Sequence, residues 1–331
     1  MMNNLDKDYL DILSDILTNG RKKETRNGNV LSLFGKEIRH DMSNGFPLLT
    51  TKKIFWKSFA VELLWFLRGD TNIRFLVQNK CNIWNGDAWE NYKKKCKHPG
   101  VHSIEDFASK ISEDEVFAKY WGELGPVYGS QWRNWCGDKT SKSIDQIKNV
   151  IDKLQTNPDD RRLLVSTWNV GQIENMVLPP CHYGFQLYSE ELTHEEKWSL
   201  LSKDNIISPY DDNIKLAQAL PNRRLHLKWT QRSCDFPLGI PANIFSYGLL
   251  LSLIAKQVKM IPGTLMGSFG DCHIYINQID AVKEQISRQP FNLPNLIIEN
   301  KNVEDISEYE VSDFKIENYN HHPKIFFPLS N

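Results

Sequence analysis

The sequence contains little of what marks secreted, metal-binding or nucleic-acid-binding proteins. Cysteine is scarce, with six in 331 residues and neither a CxxC pair nor a spacing typical of metal sites, at positions 81, 96, 136, 181, 234 and 272. We therefore expect free thiols in a reducing compartment and no bound metal. Lysine plus arginine (40) nearly cancels aspartate plus glutamate (41). The chain thus lacks the basic surface that non-specific nucleic-acid binding requires, and we expect it to need no nucleic acid.

Long hydrophobic runs are also missing. The most apolar stretch, residues 244–258, contains two serines and a lysine and is too short to span a bilayer. It predicts a helix buried in the core. The first 17 residues mix acidic with apolar side chains and lack the basic-then-apolar order of a secretion signal. We expect a protein of the cytoplasm, or of the host cytoplasm if it is viral, without a membrane.

What is present is an alternation of helix and strand patterns in a chain that is 40% hydrophobic, enough for a large core. Helical spacing predicts helices at 9–17, 57–67, 143–154 and 244–258. Strand patterns lie at 30–38, 163–167, 185–188 and 225–230, with short strands after Pro294. Two polar stretches predict peripheral insertions at about 92–118 and 189–222. With no repeat and no long linker, we expect one α/β domain over residues 1–331.

One cysteine stands apart from the others. Cys181 follows two prolines, which would fix its backbone. A thiolate is a strong nucleophile when a neighbouring arginine lowers its pKa, and the candidates are Arg232 and the pair Arg161 and Arg162. Taken alone, an intracellular cysteine is more often a buried, inert core thiol. Its catalytic interpretation depends on the surrounding sequence.

Five separated segments resemble the thymidylate synthase family, in the family's order: residues 62–73, 125–133, 178–186, 231–243 and 270–275. The similarity runs from about residue 8 to the C-terminus, apart from the two insertions. It implies an α/β, three-layer fold, in which a mixed twisted sheet is covered by helices and two subunits pack sheet against sheet. It also implies methylation of dUMP, with 5,10-methylenetetrahydrofolate as one-carbon donor and reductant.

The resemblance assigns catalytic roles to five residues: Cys181, Glu62, Tyr128, Asn243 and Asp235. Cys181 matches the nucleophile that adds to C6 of uracil, which activates C5. Asn243 matches the residue that reads the pyrimidine edge and stabilises charge on O4. Its alternative is a cap on a helix that begins near residue 244. Both roles are compatible.

Two of these assignments have other structural interpretations. In a helix, Glu62 lies beside an apolar face, where burial would raise its pKa toward neutrality and suit it for proton transfer to O4 and the folate. The alternative is a solvated glutamate at the edge of that face. Tyr128 matches the tyrosine that helps to remove the C5 proton, and its alternative is a structural aromatic residue in a turn.

Substrate binding is implied for a further group of residues. A nucleotide phosphate carries about two charges and favours planar, bidentate donors. The family's phosphate ligands from one subunit match Arg26, Arg232 and Ser233, and those from the partner match Arg161 and Arg162. The remaining substrate contacts are Gln231, beside Arg232, and the residues that hold the 3′-hydroxyl, His273 and Tyr275.

The folate side shows both matches and departures. The matching contacts are Ile83, Trp84, Leu178, Asp235, Gly239 and Ala242, with Asp235 expected to bind the pterin. The sequence departs from the family at Pro237, at Ala242 and Phe245, and at the C-terminal residues 327–331, which normally close the folate site.

These departures leave an alternative product open. Related enzymes use the same thiol and folate but let water capture the methylene, which gives a hydroxymethyl nucleotide. Asn243 favours dUMP over dCMP as the substrate in either case. A non-catalytic nucleotide- or RNA-binding relative is a remote alternative, because the thiol and its arginines are retained.

Overall fold

The computed structural model describes residues 3–97, 100–136, 142–203 and 220–328. The helices are α1 Asn4–Asn19, α2 Trp56–Leu67, α3 Arg74–Gln78, α4 Asn85–Lys95, α5 Ile104–Glu113, α6 Glu115–Trp121, α7 Tyr128–Arg133, α8 Gln146–Thr156, α9 His194–Lys203, α10 Gly239–Gln257 and α11 Ile279–Ile286. The strands are β1 Arg21–Thr25, β2 Gly28–Asp41, β3 Leu164–Ser166, β4 His182–Glu191, β5 Arg223–Asp235, β6 Ile261–Tyr275, β7 Asn295–Ile298 and β8 Phe314–Glu317.

A six-stranded mixed sheet organises the chain, in the order β1-β2-β6-β5-β4-β3. The pair β5 and β6 is parallel and the other neighbours are antiparallel. Strands β7 and β8 form a separate antiparallel pair. The mixed α/β architecture predicted from the sequence is therefore confirmed.

One face of the sheet is covered by helices. Burial alternates along β4 and β5, and the buried side chains face α10, which also packs against α2. On the opposite face, Leu164 and Tyr188 are 55% and 60% exposed. Within the described residues, this part of the sheet therefore has no layer that covers it.

Helix α10 is the centre of the core. Most of its residues are buried, and each fully buried leucine or isoleucine contributes about 2 kcal/mol. Within the described part of the chain it is the one helix long and apolar enough to cross a membrane, but most of it is buried inside the protein. The core helix predicted for this stretch is thus confirmed. It begins at Gly239, earlier than predicted, because Pro241 lies in the first turn, where backbone N–H groups have no helical partner.

The longest strand, β6, was not predicted. Glycines at 263, 267 and 270 interrupt its hydrophobic pattern, and glycine is usually depleted in strands. Packing explains Gly267, since a Cβ there would lie 2.6 Å from the Trp229 ring and 2.5 Å from that of Phe269. The hairpin strand β1, a run of charged and polar residues, was also missed.

The two predicted insertions differ in what can be described. Residues 92–118 include the end of α4, α5 and most of α6. These helices pack around the buried Tyr92 and Phe107. The second stretch contains the end of β4 and α9, while its residues 204–219 lie outside the described residues. Their assignment as insertions into a single domain stays a prediction.

Candidate active site

Cys181 lies immediately before β4, where its backbone is held on both sides. Its amide donates a hydrogen bond to the Tyr128 hydroxyl at 2.7 Å, and its carbonyl accepts one from the Arg232 amide at 2.9 Å. The Arg232 guanidinium donates to the carbonyls of Pro180 at 2.9 Å and Pro179 at 3.2 Å. The two prolines therefore act as acceptors that aim the arginine, as well as restricting the backbone before the thiol.

The charge around the thiol is set by competing effects. Burial raises the pKa of Cys181, Arg232 lowers it, and the carboxylates of Asp87 and Asp235 raise it further. The net pKa is above that of an ordinary cysteine, so burial outweighs the arginine. Arg232 lowers the pKa of the thiol as expected of a neighbouring arginine, but burial and the two carboxylates outweigh its effect.

The pair Arg161 and Arg162 is placed differently. Both lie on the exposed turn before β3, and Arg162 donates to the Asp160 carboxylate at 3.1 Å. Neither contributes to the charge environment of Cys181 within this chain. Of the two arginine candidates, only Arg232 is brought to the thiol by the fold of a single subunit.

Tyr128 begins α7 and is buried beneath the thiol. Its ring stacks on that of His182 at 4.3 Å and lies 4.8 Å from that of Phe66. Burial and the neighbouring Cys181 raise its pKa well above the usual range, so the hydroxyl keeps its proton. Because the oxygen accepts from the Cys181 amide, that proton is free for another acceptor.

Glu62 occupies α2 with the indole of Trp84 beside it. Trp84 Nε1 donates to Glu62 Oε1 at 2.7 Å. Burial raises the pKa of Glu62 to about 7, although the indole hydrogen bond opposes this. The residue keeps some exposure at the edge of the apolar face, but its carboxyl group is desolvated and bonded to Trp84 rather than solvated. The contact with Trp84, 22 residues away, was not anticipated, since Trp84 was assigned only to the folate.

Asn243 is inside α10 rather than at its end. The helix begins at Gly239 with Leu238 at the cap position and no side-chain cap, so the capping alternative is wrong. The half-buried Asn243 amide makes no hydrogen bond to any described residue. Its carboxamide is thus free to pair with a ligand.

The ends of β5 and β6 bring the other polar residues together. Asp235 and His273 are register partners, as are Ser233 and Asp271. The exposed Arg26, in the turn between β1 and β2, lowers the pKa of Tyr275, although burial and nearby acidic groups, Asp235 first among them, raise it overall.

The side chain of Gln231 makes its hydrogen bonds within the protein. Its buried side chain donates from Nε2 to the Ser233 carbonyl at 3.0 Å and accepts a hydrogen bond from Trp229 at 3.4 Å. In this state Gln231 orders the backbone of β5.

The carboxylate of Asp235 faces several polar groups. It accepts hydrogen bonds from the Leu238 amide at 3.1 Å and from Gln278 Nε2 at 3.3 Å. Burial raises its pKa, while those two bonds, His273 and Lys52 lower it. A Cβ built on Gly239 would meet nothing closer than Asp235 Cβ at 4.0 Å, so the helix start is open to a ligand.

The remaining residues assigned to the folate differ in their exposure to solvent. Ile83 is 41% exposed, Leu178 and Ala242 are partly buried, and Trp84 is buried. Phe245 is buried among aromatic rings, 5.4 Å from Phe46. Its ring is therefore part of the core packing.

Sequence reasoning missed three side chains close to this site. Lys52 is buried, donates to the Pro237 carbonyl, and has its pKa lowered by burial to about 7. Trp168 lies under the Arg232 guanidinium at 5.4 Å, and Gln278 contacts Asp235. Lys52 and Trp168 carry no spacing signal, and Gln278 was passed over because it follows the 270–275 segment.

This arrangement defines a class of enzyme. A fixed thiol beside an arginine, a protonated tyrosine and a carboxyl group with a pKa near neutrality are suited to covalent nucleophilic catalysis with proton transfer. The family model described as thymidylate synthase matches residues 7–331. The chain belongs to the thymidylate synthase family.

Individual relatives are similar over nearly their full length. The thymidylate synthase of Mycoplasma mobile is 42% identical over 318 residues, which cover 96% of this chain and 97% of that one. That of Malacoplasma penetrans is 42% identical over 320 residues, covering 96% and 98%. That of Listeria innocua is 39% identical over 347 residues, covering 98% and 99%.

Proposed function

We infer that this protein converts dUMP and 5,10-methylenetetrahydrofolate into dTMP and dihydrofolate. The observation that carries the inference is the setting of Cys181, whose amide bonds Tyr128 and whose flanking carbonyls bind Arg232. Family membership and relatives of about 40% identity named thymidylate synthase support the same reaction. The hydroxymethylase alternative has no comparable support.

In the proposed reaction, the Cys181 sulfur forms a bond to C6 of uracil and the electron pair of the C5–C6 bond moves toward O4. The thiol must lose its proton for this step, and the adjacent Arg232 favours the resulting thiolate. Glu62, with a pKa of about 7, suits proton exchange with O4 through water. We assign Tyr128 to the removal of the C5 proton once C5 carries the one-carbon unit. Its hydroxyl keeps its own proton and would orient a water molecule that takes the proton from C5. Elimination then returns the sulfur to Cys181.

The nucleotide is held by groups that recognise its parts. We assign the base to the free carboxamide of Asn243, which offers an oxygen to N3–H and an N–H to O4. The phosphate is assigned to three groups of this chain: Arg26, Arg232 and Ser233. His273 and Tyr275 are assigned to the 3′-hydroxyl. Gln231 helps to position Ser233 through its hydrogen bond to the Ser233 carbonyl.

A homodimer completes the proposed site. Arg161 and Arg162 are exposed, and no contact among the described residues brings them to the thiol. The open sheet face carries the exposed Leu164 and Tyr188, which suits sheet-to-sheet packing. We propose that each subunit donates the two arginines to its partner's phosphate site, and that the enzyme works in the cytoplasm.

Folate binding is assigned to the opening between α2 and the start of α10. The residues are Ile83, Trp84, Leu178, Asp235, Gly239 and Ala242. They fit the group: Trp84 offers an aromatic ring, Asp235 offers a hydrogen-bonding carboxyl, and the absence of a side chain at Gly239 leaves space. When bound, the folate supplies the one-carbon unit and the hydride. The chain's part is to orient it and to exclude water.

Product analysis tests the proposal. Purified protein receives methylenetetrahydrofolate with either dUMP or dCMP, and both nucleotide and folate products are identified by mass spectrometry. We expect dTMP and dihydrofolate in equal amounts from dUMP, and no reaction of dCMP. Tetrahydrofolate with a product one oxygen heavier than dTMP would show that water, rather than hydride, had reached the methylene.

A further inference from the structure

Gln278 connects three parts of the site through one buried amide. Its side chain is fully buried in the short turn after β6. Oε1 accepts a hydrogen bond from the Tyr275 amide at 3.1 Å. Nε2 donates to Asp235 Oδ2 at 3.3 Å and to the Pro328 carbonyl at 3.1 Å. Both amide hydrogens are therefore used, one for the carboxylate and one for the C-terminal segment.

The same C-terminal segment has a second contact with the folate side. Phe327 is buried, and its ring lies 4.1 Å from Lys52 Nζ. Lys52 in turn donates to the carbonyl of Pro237, two residues after Asp235. Lys52 thus contacts two of the places where the sequence departs from the family, Pro237 and the C-terminal segment. Residues 327 and 328 are therefore held near Asp235 by two contacts, one from Lys52 to the Phe327 ring and one from Gln278 to the Pro328 carbonyl.

We propose that Gln278 is a positioning residue that couples the orientation of the Asp235 carboxylate to docking of the C-terminal segment at Pro328. Within the described residues, Gln278 is the one side chain that hydrogen-bonds Asp235. A carboxamide suits this position because it offers two donors and one acceptor without charge. A carboxylate keeps the acceptor for Tyr275 but loses both donors. The proposal rests on the folate-facing role assigned to Asp235 above.

Other ionisable groups surround this carboxylate and define its pH response. Lys52 comes from the loop before α2 and His273 from β6, and both favour the charged form of Asp235. Tyr9 of α1, Tyr275 of β6 and the Cys181 thiol also interact with it. Comparisons between variants therefore need the wild type at the same pH as the reference.

The test uses two substitutions and a matched control in the full chain. Gln278→Glu removes the donors and keeps the acceptor, whereas Gln278→Met removes both. Gln285→Met is the control, because Gln285 is an equally buried glutamine that bonds Thr51 instead. For each protein we would measure thermal unfolding, Kd for dUMP and for the folate, KM and kcat, and the ratio of dihydrofolate to tetrahydrofolate at pH 6.5 and 8.5.

We expect Gln278→Glu at pH 8.5 to raise the folate Kd and KM about tenfold, since the hydrogen bonds to the half-buried Asp235 carboxylate and to the Pro328 carbonyl are both lost. The tetrahydrofolate fraction should rise, because a poorly docked segment admits water. At pH 6.5 part of the loss should be recovered, since a protonated carboxyl group regains one donor, which can serve Asp235 or Pro328 but not both. The dUMP Kd of this variant should stay within threefold of the wild type, whereas Gln278→Met should show no recovery at pH 6.5.

Two results would overturn the coupling. One is a Gln278→Glu protein with wild-type folate Kd and product ratio at pH 8.5. The other is a Gln285→Met protein whose folate Kd and KM rise by as much, which would show that both residues affect folate binding only through the general stability of the protein. A wild type that binds the folate but forms no dTMP would overturn the proposed function instead, and the folate Kd values of the variants would still decide the role of Gln278.

Discussion

Replacing Glu62 by glutamine should stabilise the protein while it removes activity. The buried carboxyl of Glu62 has its pKa raised from 4.5 to about 7, mainly by desolvation. An acid with a higher pKa in the folded chain binds its proton more tightly there than in the unfolded chain. Its ionisation therefore costs stability, and this cost appears as the pH rises from about 4.5 to about 7. Below that window the carboxyl is protonated in both states and the cost vanishes.

The magnitude follows from the difference between the two pKa values. A span from 4.5 to about 7 corresponds to about 3 kcal/mol of unfolding free energy. Glutamine has a similar shape, stays neutral, and its amide oxygen can still accept the Trp84 hydrogen bond. We therefore expect the stability of Glu62→Gln relative to the wild type to increase by about 3 kcal/mol between pH 4.5 and pH 8.

The assay is denaturant unfolding of both proteins without ligand at several pH values and one protein concentration, because a dimer's stability depends on concentration. Glu105→Gln, which removes an exposed glutamate from α5, is the control for the loss of one negative charge. Turnover is measured in parallel and should fall at least a hundredfold in Glu62→Gln. A stability difference that stays constant from pH 4.5 to 8 would refute the reasoning.

Three other predictions concern the nucleophile and its neighbours. Cys181→Ala should reduce turnover at least a thousandfold and change the dUMP Kd by less than tenfold, since phosphate and base contacts do not need the thiol; turnover within tenfold of the wild type would remove Cys181 from the mechanism. A mixed dimer of Cys181→Ala with Arg161→Ala/Arg162→Ala subunits should regain one working site, and no recovery despite confirmed mixing would contradict a shared site. Tyr128→Phe leaves the part-buried Cys181 amide without its acceptor, so the free energy of unfolding should fall by about 1 kcal/mol and turnover should slow. An unchanged stability would show that the amide finds another partner.

Much of the fold was accessible from the sequence because local pattern and tertiary role coincide. The helix at 57–67 and the strand at 225–230 are apolar on the sides that face the core, so their periodicity reports their burial. The same reasoning did not find strand β6, because glycines interrupt its hydrophobic pattern. Gly267 leaves room for the rings of Trp229 and Phe269, and Gly270 for the backbone of Arg232, which are tertiary reasons that no local pattern shows.

The candidate site likewise includes features that the sequence indicated and features that only the structure shows. The segment around Cys181 indicated the residue that we propose as the nucleophile, and the apolar neighbours of Glu62 predicted its raised pKa. The balance at the thiol was beyond the sequence, because it depends on how burial compares with the field of Arg232 and two carboxylates. The pairing of Trp84 with Glu62 and the bridge formed by Gln278 join residues far apart in the chain. Such contacts arise only when the elements pack.

The central claim is that the Cys181 sulfur bonds to C6 of the pyrimidine. A dUMP analogue with fluorine at C5 tests it directly, since fluorine cannot leave as a proton does and the adduct should persist. The protein would be incubated with this analogue and methylenetetrahydrofolate, denatured, digested, and its peptides analysed by mass spectrometry. We predict that the peptide containing Cys181 carries the combined mass of the nucleotide and the methylene-bearing folate. Label on another cysteine, or an unmodified Cys181 in a protein that still converts dUMP to dTMP, would contradict the account.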